Sequence, residues 1–166
     1  MIRRDFIRIA ALGGGLTVLG PRLVRASGDV DTFALLLSCM DYRLVQDTER
    51  YMVKRGLKKK YDHVILAGAA LGALTEKFPA WNKTFWEHLD VAIELHHVKK
   101  VFLMDHRDCG AYQVVLGEDF GKTPAKETRV HAEKLRDLKK QILAKNSKLS
   151  IEMLLMNLDG KVETIA

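Results

Sequence analysis

Apolar residues along the chain form short continuous runs and longer stretches with helical spacing. The short runs are typical of strands buried on both faces of a sheet, and they cover 32–39, 63–68 and 100–105. The longer stretches repeat apolar positions every three or four residues among charged ones, which predicts helices at 45–60, 81–97, 109–116 and 124–146. Residues 69–80 are small and then mixed, which indicates a loop with a short helix.

The order of these segments predicts an α/β fold. Strands alternate with helices up to residue 146, and this alternation is typical of an open, mostly parallel sheet flanked by helices. Residues 151–165 add two strand-like runs around Asp159-Gly160, which is a strong hairpin signal. We therefore expect the strand order 2-1-3-4 with a terminal antiparallel strand.

The first 26 residues have the pattern of an export signal. Arg3, Arg4 and Phe6 lie in the segment R-R-D-F-I-R, which resembles the twin-arginine signal of bacteria, a route that carries folded proteins. The apolar stretch that follows is shorter than the ~20 residues that span a bilayer, and small residues suit cleavage after Ala26. We expect a signal peptide at 1–26, one domain at 27–166, a periplasmic location and no stable membrane anchor.

The charge of the chain changes once this segment is set aside. The 166 residues carry a net charge of +6, but residues 1–26 contain five arginines and one aspartate, so about +2 is left after cleavage. The other charged runs, at 54–60 and 133–140, are typical of solvated helix faces. No aromatic residues are interleaved with them, and we expect no nucleic-acid partner.

Both cysteines of the chain follow predicted strands. Cys39 lies in S-C-M-D-Y-R at 38–43, and Cys109 lies in H-R-D-C, three residues after His106. Ligand sites of open α/β sheets form at the carboxyl ends of strands where the strand order reverses. Two thiolates and an imidazole suit zinc, with water or Asp41 in the fourth position. Packing cysteines, a disulfide and a closed structural zinc site are the alternatives.

These motifs carry a resemblance to a known family. The chain resembles the β-class carbonic anhydrases, whose signatures are C-x-D-x-R after the first strand and H-x-x-C-G after the third, here C-M-D-Y-R and H-R-D-C-G. The resemblance extends from about Phe33 to Leu116, and the terminal Asp-Gly hairpin is similar to the family's last, antiparallel strand. It implies an open α/β sheet with zinc at the strand ends, usually assembled as a dimer.

The resemblance also implies roles for individual residues. Cys39, His106 and Cys109 are expected as ligands of Zn²⁺, and Asp41 and Arg43 as the carboxylate–guanidinium pair beside the metal. Arg43 would hold Asp41 ionised and off the metal, while Asp41 would be a fourth ligand in a closed form. The implied activity is reversible hydration of carbon dioxide to bicarbonate by a zinc-bound hydroxide. We expect a zinc lyase that forms a homodimer or a higher homo-oligomer.

Two departures from the family pattern leave the substrate open. The second strand ends in L-A-G-A-A (66–70), where the family often has an R-N-A-G-like stretch, and Tyr42 lies where the family often has a small residue. Zinc hydrolases of COS or CS2 share the ligand pattern, so they remain an alternative, as does a non-catalytic periplasmic zinc-binding module. Any of the other histidines could carry protons: His63, His88, His96, His97 and His131.

Overall fold

The structure is a computed structural model that describes residues 34–166. The predicted signal peptide therefore lies outside the described residues, and it stays a prediction. The strands are β1 (Ala34–Cys39), β2 (Tyr61–Leu66), β3 (Lys100–His106), β4 (Ser150–Met156) and β5 (Val162–Ile165). The helices are α1 (Val45–Lys54), α2 (Ala70–Leu74), α3 (Pro79–His96), α4 (Gly110–Leu116) and α5 (Pro124–Lys145). A short 3-10 turn covers Tyr42–Leu44.

One sheet with the order β2-β1-β3-β4-β5 organises this part of the chain. β1 pairs in parallel with β2 and β3, β3 pairs in parallel with β4, and β5 is antiparallel to β4. The predicted fold class and strand order are thereby confirmed. After β2 the chain crosses to the other side of β1, so the strand order reverses between β1 and β3, and ligand sites form at such a point.

β1 is buried on both faces, as its continuous apolar run predicts. Successive side chains of a strand point to opposite faces. Leu35 and Leu37 accordingly pack with α2, α3 and α5, while Ala34 and Leu36 pack with α1 on the other face. Helices therefore cover this inner strand on both faces, which gives the carboxyl ends of β1 and β3 a rigid base.

The predicted first helix is too long. It was expected over 45–60, but α1 ends at Lys54. Gly56 has φ +76, a left-handed conformation that glycine adopts easily and that ends a helix. The amide of Leu57 donates to the carbonyl of Met52, and the Leu57 side chain is buried in the α1-side core from this turn. Among residues 34–166, no helix is long and apolar enough to cross a membrane.

Candidate metal centre

The ends of β1 and β3 bring Cys39, His106 and Cys109 together. Cys39 is the last residue of β1, His106 is the last residue of β3, and Cys109 directly precedes α4. Their ligand atoms all lie within 4.8 Å of one another, and the two Sγ atoms are 3.9 Å apart. Both cysteines are free thiols, so the structure does not contain the disulfide that the sequence left as an alternative.

The groups around Cys39 favour its thiolate form. The hydrogen bond with the Cys109 thiol lowers the pKa of Cys39, with His106 and the Gly68 amide acting in the same direction against burial. The Gly68 N–H donates to Cys39 Sγ over 3.3 Å. Gly68 has φ +73, a backbone conformation that only glycine adopts easily. The neighbouring Cys39 thiolate raises the pKa of Cys109. A bound cation would remove that repulsion, since metal-bound thiols lose their protons.

His106 fits a metal on its outer ring nitrogen. Nδ1 lies 2.8 Å from the carbonyl oxygen of Arg107, so Nδ1 carries the proton and donates it there. This leaves a lone pair on Nε2, a buried atom without a hydrogen-bond partner among residues 34–166. Metal-binding histidines have this arrangement, because the bond at one nitrogen fixes the other toward the metal. Together with two thiols, the donor set suits zinc.

Arg43 holds Asp41 beside the three ligands. The Arg43 Nε and Nη2 groups donate to the two carboxylate oxygens of Asp41 over 3.0 and 2.8 Å. This bidentate bond lowers the pKa of Asp41 against the effect of burial. Asp41 Oδ2 still lies only 3.8 Å from Nε2 of His106. Asp41 is therefore an ionised carboxylate at the edge of the centre, bonded to Arg43.

A second acidic residue fixes the guanidinium from the other side. Arg43 Nη1 donates to Asp108 Oδ2 over 2.8 Å, and Nη2 donates to the Asp108 carbonyl over 2.9 Å. Asp108 has φ +55, and its N–H donates to Glu127 Oε1 over 2.6 Å. Glu127 is buried in the first turn of α5, where its other oxygen accepts a bond from Arg107. Helix α5 thus supports the loop that positions Arg43.

Asp105 anchors a further cluster behind the centre. Its Oδ1 accepts a bond from the Ala70 amide over 3.0 Å, and its Oδ2 accepts one from the Tyr112 hydroxyl. Oδ2 also lies 2.8 Å from Nδ1 of His131, whose ring contacts that of Tyr112 at a centroid distance of 3.9 Å. All three side chains of this Asp105–Tyr112–His131 cluster are almost fully buried. The cluster therefore ties β3 to α2, α4 and α5.

A cavity of about 340 Å³ connects these groups. Its walls include Cys109 of the metal centre, Asp41 and Arg43 of the ion pair, and His131 of the buried cluster. Asp108, Asp119 and Glu127 also line it. The volume has room for several water molecules.

The structure brings together all five residues that the motifs singled out, and it adds others that the motifs did not. The motif residues are Cys39, Asp41, Arg43, His106 and Cys109. The added residues are Gly68, Asp105, Asp108, Tyr112, Glu127 and His131. Asp108 lies inside H-R-D-C, so its closeness could have been foreseen. Glu127 and His131 are four residues apart on α5, and only this spacing on one helix face could have linked them.

The fold is shared with solved carbonic anhydrase structures. The carbonic anhydrase from Glaciozyma antarctica matches with a TM-score of 0.52 and 16% identity, covering 89% of this chain and 89% of that one. The β-carbonic anhydrase isoform I from Trichomonas vaginalis matches with a TM-score of 0.51 and 22% identity, covering 81% and 82%. The fold is therefore that of the β-carbonic anhydrases, with a Cys–His–Cys set that could hold a metal at its strand ends.

Sequence comparison then assigns the chain to a family. Residues 29–166 match the family described as "Putative carbonic anhydrase", and the chain belongs to that family. An uncharacterized protein of Rickettsia bellii is 39% identical over 131 residues, covering 79% of this chain and 80% of the relative. An uncharacterized protein of Rickettsia conorii is also 39% identical over 131 residues, covering 79% and 70%.

Proposed function

We propose that the protein is a zinc lyase that reversibly hydrates carbon dioxide to bicarbonate. The observation that carries the proposal is the joint arrangement of the Cys39, His106 and Cys109 ligand atoms with an arginine-bound carboxylate at their edge. A purely structural zinc site needs four protein ligands and no guanidinium to restrain the fourth. Membership of the carbonic anhydrase family supports the same reading.

Each residue of the site would have a separate role in the reaction. Cys39, Cys109 and the Nε2 atom of His106 would hold zinc. When bound, zinc supplies a Lewis acid that lowers the pKa of a bound water to roughly 7. Asp41, kept ionised by Arg43, would accept a hydrogen bond from the reacting water and orient it toward carbon dioxide. Arg43 would also restrain Asp41 from becoming a fourth ligand, which is the closed form.

Cys109→Ser tests the proposal. We expect the zinc-loaded wild-type protein to contain one zinc per chain and to hydrate carbon dioxide. The Cys109→Ser variant should lose most of its zinc and at least about 100-fold in activity, because even residues that only support a ligand cost 10–100-fold. Zinc content is measured by elemental analysis, and hydration by stopped flow with a pH indicator.

Val91→Ser provides the control, since Val91 is an exposed residue of α3 outside the site. It should retain both zinc and activity. A wild-type protein that binds zinc but hydrates nothing would contradict the lyase and favour the non-catalytic zinc-binding module. The departures at 66–70 and the exposed Tyr42 side chain are the reason to run COS and CS2 as parallel substrates. Turnover of either without carbon dioxide hydration would favour the hydrolase.

Location and assembly remain predictions. Twin-arginine export to the periplasm depends on residues 1–26, which lie outside the described residues. A homodimer or higher homo-oligomer is proposed from the family resemblance. The exposed apolar side chains of Met40, Tyr42 and Ile65, at or near the ends of β1 and β2, are a surface that a second copy could cover.

A further inference from the structure

The Asp105–Tyr112–His131 cluster fixes the proton of His131 on one ring nitrogen. Burial raises the pKa of Tyr112 well above its ordinary value of 10, so the phenol keeps its proton and donates it to Asp105. The Ala70 amide donates to the same carboxyl group. Asp105 is therefore the acceptor in each of these hydrogen bonds, and Nδ1 of His131 must donate the 2.8 Å bond between His131 and Asp105.

The other ring nitrogen of His131 is an acceptor without a protein donor. Nε2 is buried and has no hydrogen-bond partner within residues 34–166. A buried polar atom left in this state has lost its hydration without compensation, so such atoms are usually satisfied by a water or a ligand. His131 lines the cavity that also contains Cys109 and Asp41, and that cavity has room for water.

The charges around the cavity favour protons. Asp41, Asp108, Asp119 and Glu127 line it, and among residues 34–166 Arg43 is the only lysine or arginine that does so. Arg43 is already bonded to Asp41 and Asp108. A wall with this excess of carboxylates attracts cations, including a proton in transit.

We propose that His131 accepts the proton released in the hydration reaction and that this cavity is the route by which the proton leaves. Hydration converts water and carbon dioxide to bicarbonate and one proton. The O–H bond of the reacting water breaks in a step separate from the bonding of its oxygen to the carbon, and water molecules in the cavity pass the proton to Nε2 of His131. His131 then gives the proton to a buffer base and returns to its neutral form, so no other reactant is needed. The inference rests on the proposed function.

The groups that face His131 come from several elements. Asp105 on β3 would stabilise the imidazolium through the Nδ1 bond, and Tyr112 on α4 covers the ring. Glu127, one turn earlier on α5, and Asp119 in the preceding loop share the cavity. Asp108 completes the acidic side of the wall. Arg43 also lines the cavity, but it is bonded to Asp41 and Asp108, so carboxylates predominate around a transient positive charge on His131.

Buffer dependence in His131→Ala tests the proposal. At low buffer concentration we expect kcat to fall about 100-fold, the lower limit for loss of a proton-transfer group, while kcat/KM for carbon dioxide changes less than about twofold. Added imidazole, which fits the space of the lost ring, should restore kcat. Equal kcat values for wild type and variant at low buffer would overturn the proposal.

His131→Gln is the second variant, because its amide can still donate to Asp105 but cannot carry a proton. It should show the same loss of kcat, with zinc content and circular dichroism like those of wild type. His88→Ala is the matched control, since His88 is an exposed histidine of α3 that lies 2.8 Å from the Thr84 carbonyl. Its kcat should equal that of wild type in every buffer.

A measurement independent of turnover uses the wild-type protein without metal. Long-range ¹H–¹⁵N NMR should find neutral His131 protonated on Nδ1 and unprotonated on Nε2. A proton on Nε2 would overturn the proposal even if both His131 variants failed to fold. A wild-type protein that hydrates no carbon dioxide in any buffer would instead contradict the proposed function. If the wild type is active and the two His131 variants have the same kcat as the wild type at low buffer, only the role of His131 is contradicted.

Discussion

Asp108 is the residue on which the geometry of the ion pair depends. It adopts φ +55, a left-handed conformation that aspartate tolerates better than most residues. In this conformation its carbonyl and carboxylate both face Arg43, while its N–H faces Glu127. The strained backbone is therefore held from two sides, and one of these is a buried carboxylate on α5.

Glu127→Gln should destabilise the protein by about 1–3 kcal/mol. Glu127 uses one oxygen for the Asp108 N–H and the other for Arg107, and a glutamine must present an N–H₂ group to one of these two donors. One buried donor would then lose its acceptor. Urea unfolding of the metal-free protein measures the change in the free energy of unfolding.

Glu118→Gln is the matched control for this prediction. Glu118 is an exposed residue whose ion pair with Lys126 lies at the surface, so its loss should change stability by less than about 0.5 kcal/mol. Equal effects of the two substitutions would mean that Glu127 contributes only as a surface charge does.

Among the elements, α1 is attached to the sheet through a carboxylate. Arg55, at the end of α1, donates two bonds to Glu152 of β4 over 2.7 and 3.1 Å. Lys100 of β3 donates to the same carboxylate over 2.5 Å. Bonding to Arg55 lowers the pKa of Glu152 to about 2, with Lys100 adding to the effect and burial opposing it. The first helix is thus joined electrostatically to two strands.

Glu152→Gln should remove stability in a pH-dependent way. The folded pKa of about 2 lies below the ordinary value of 4.5, so the contribution is complete above pH 4.5 and is lost as the pH falls toward 2. Because Arg55 is partly exposed and screened by solvent, we expect about 1–2 kcal/mol at neutral pH. Urea unfolding of wild type and variant between pH 7 and acid conditions measures the difference.

The exposed Glu133 of α5 supplies the control. Glu133→Gln should leave the difference in unfolding free energy near zero at every pH. A Glu152→Gln variant whose deficit stayed constant as the pH fell would show that packing of the side chain, and not its charge, carries the effect.

Element types were predictable where one local signal was enough. The continuous apolar run predicted β1 because both of its faces are buried, and Asp159-Gly160 predicted the hairpin of β4 and β5. The end of α1 was not predicted. Residues 55–60 are as charged as the helix before them, and Gly56 ends it through a backbone conformation that no periodicity displays. Such boundaries depend on a single residue.

The site was predictable to the extent that its residues lie at strand ends. Cys39 and His106 are the last residues of β1 and β3, and Cys109 follows β3, so their meeting depends only on the strand order. Glu127 and His131 belong to a helix whose first turns return over those strand ends. That return depends on how α5 packs on the sheet, and no spacing in the sequence encodes it.

For the molecule as a whole, removal of metal should lower stability. A metal held by residues of β1, of β3 and of the segment after β3 binds the folded chain in preference to the unfolded one. Excess zinc at about 1,000 times its dissociation constant stabilises by about 4 kcal/mol. We expect Tm to fall when a chelator strips the protein and to return when zinc is added back, as measured by circular dichroism.

Cys109→Ser serves as the control for this effect. Its Tm should respond little to chelator or zinc, because one ligand is missing. A wild-type Tm that is indifferent to both reagents would show that the three side chains do not hold a stabilising ion, whatever the activity of the protein.

The pairing of β1 with β3 also has a consequence for the order of events in the cell. The ligands come from segments that meet only when these two parallel strands are aligned, so the complete binding site forms late, after the sheet. The chain can therefore bind its metal at this site only where it is already folded. A chain exported in its folded state would meet its first metal pool in the cytoplasm, before it reaches any other compartment.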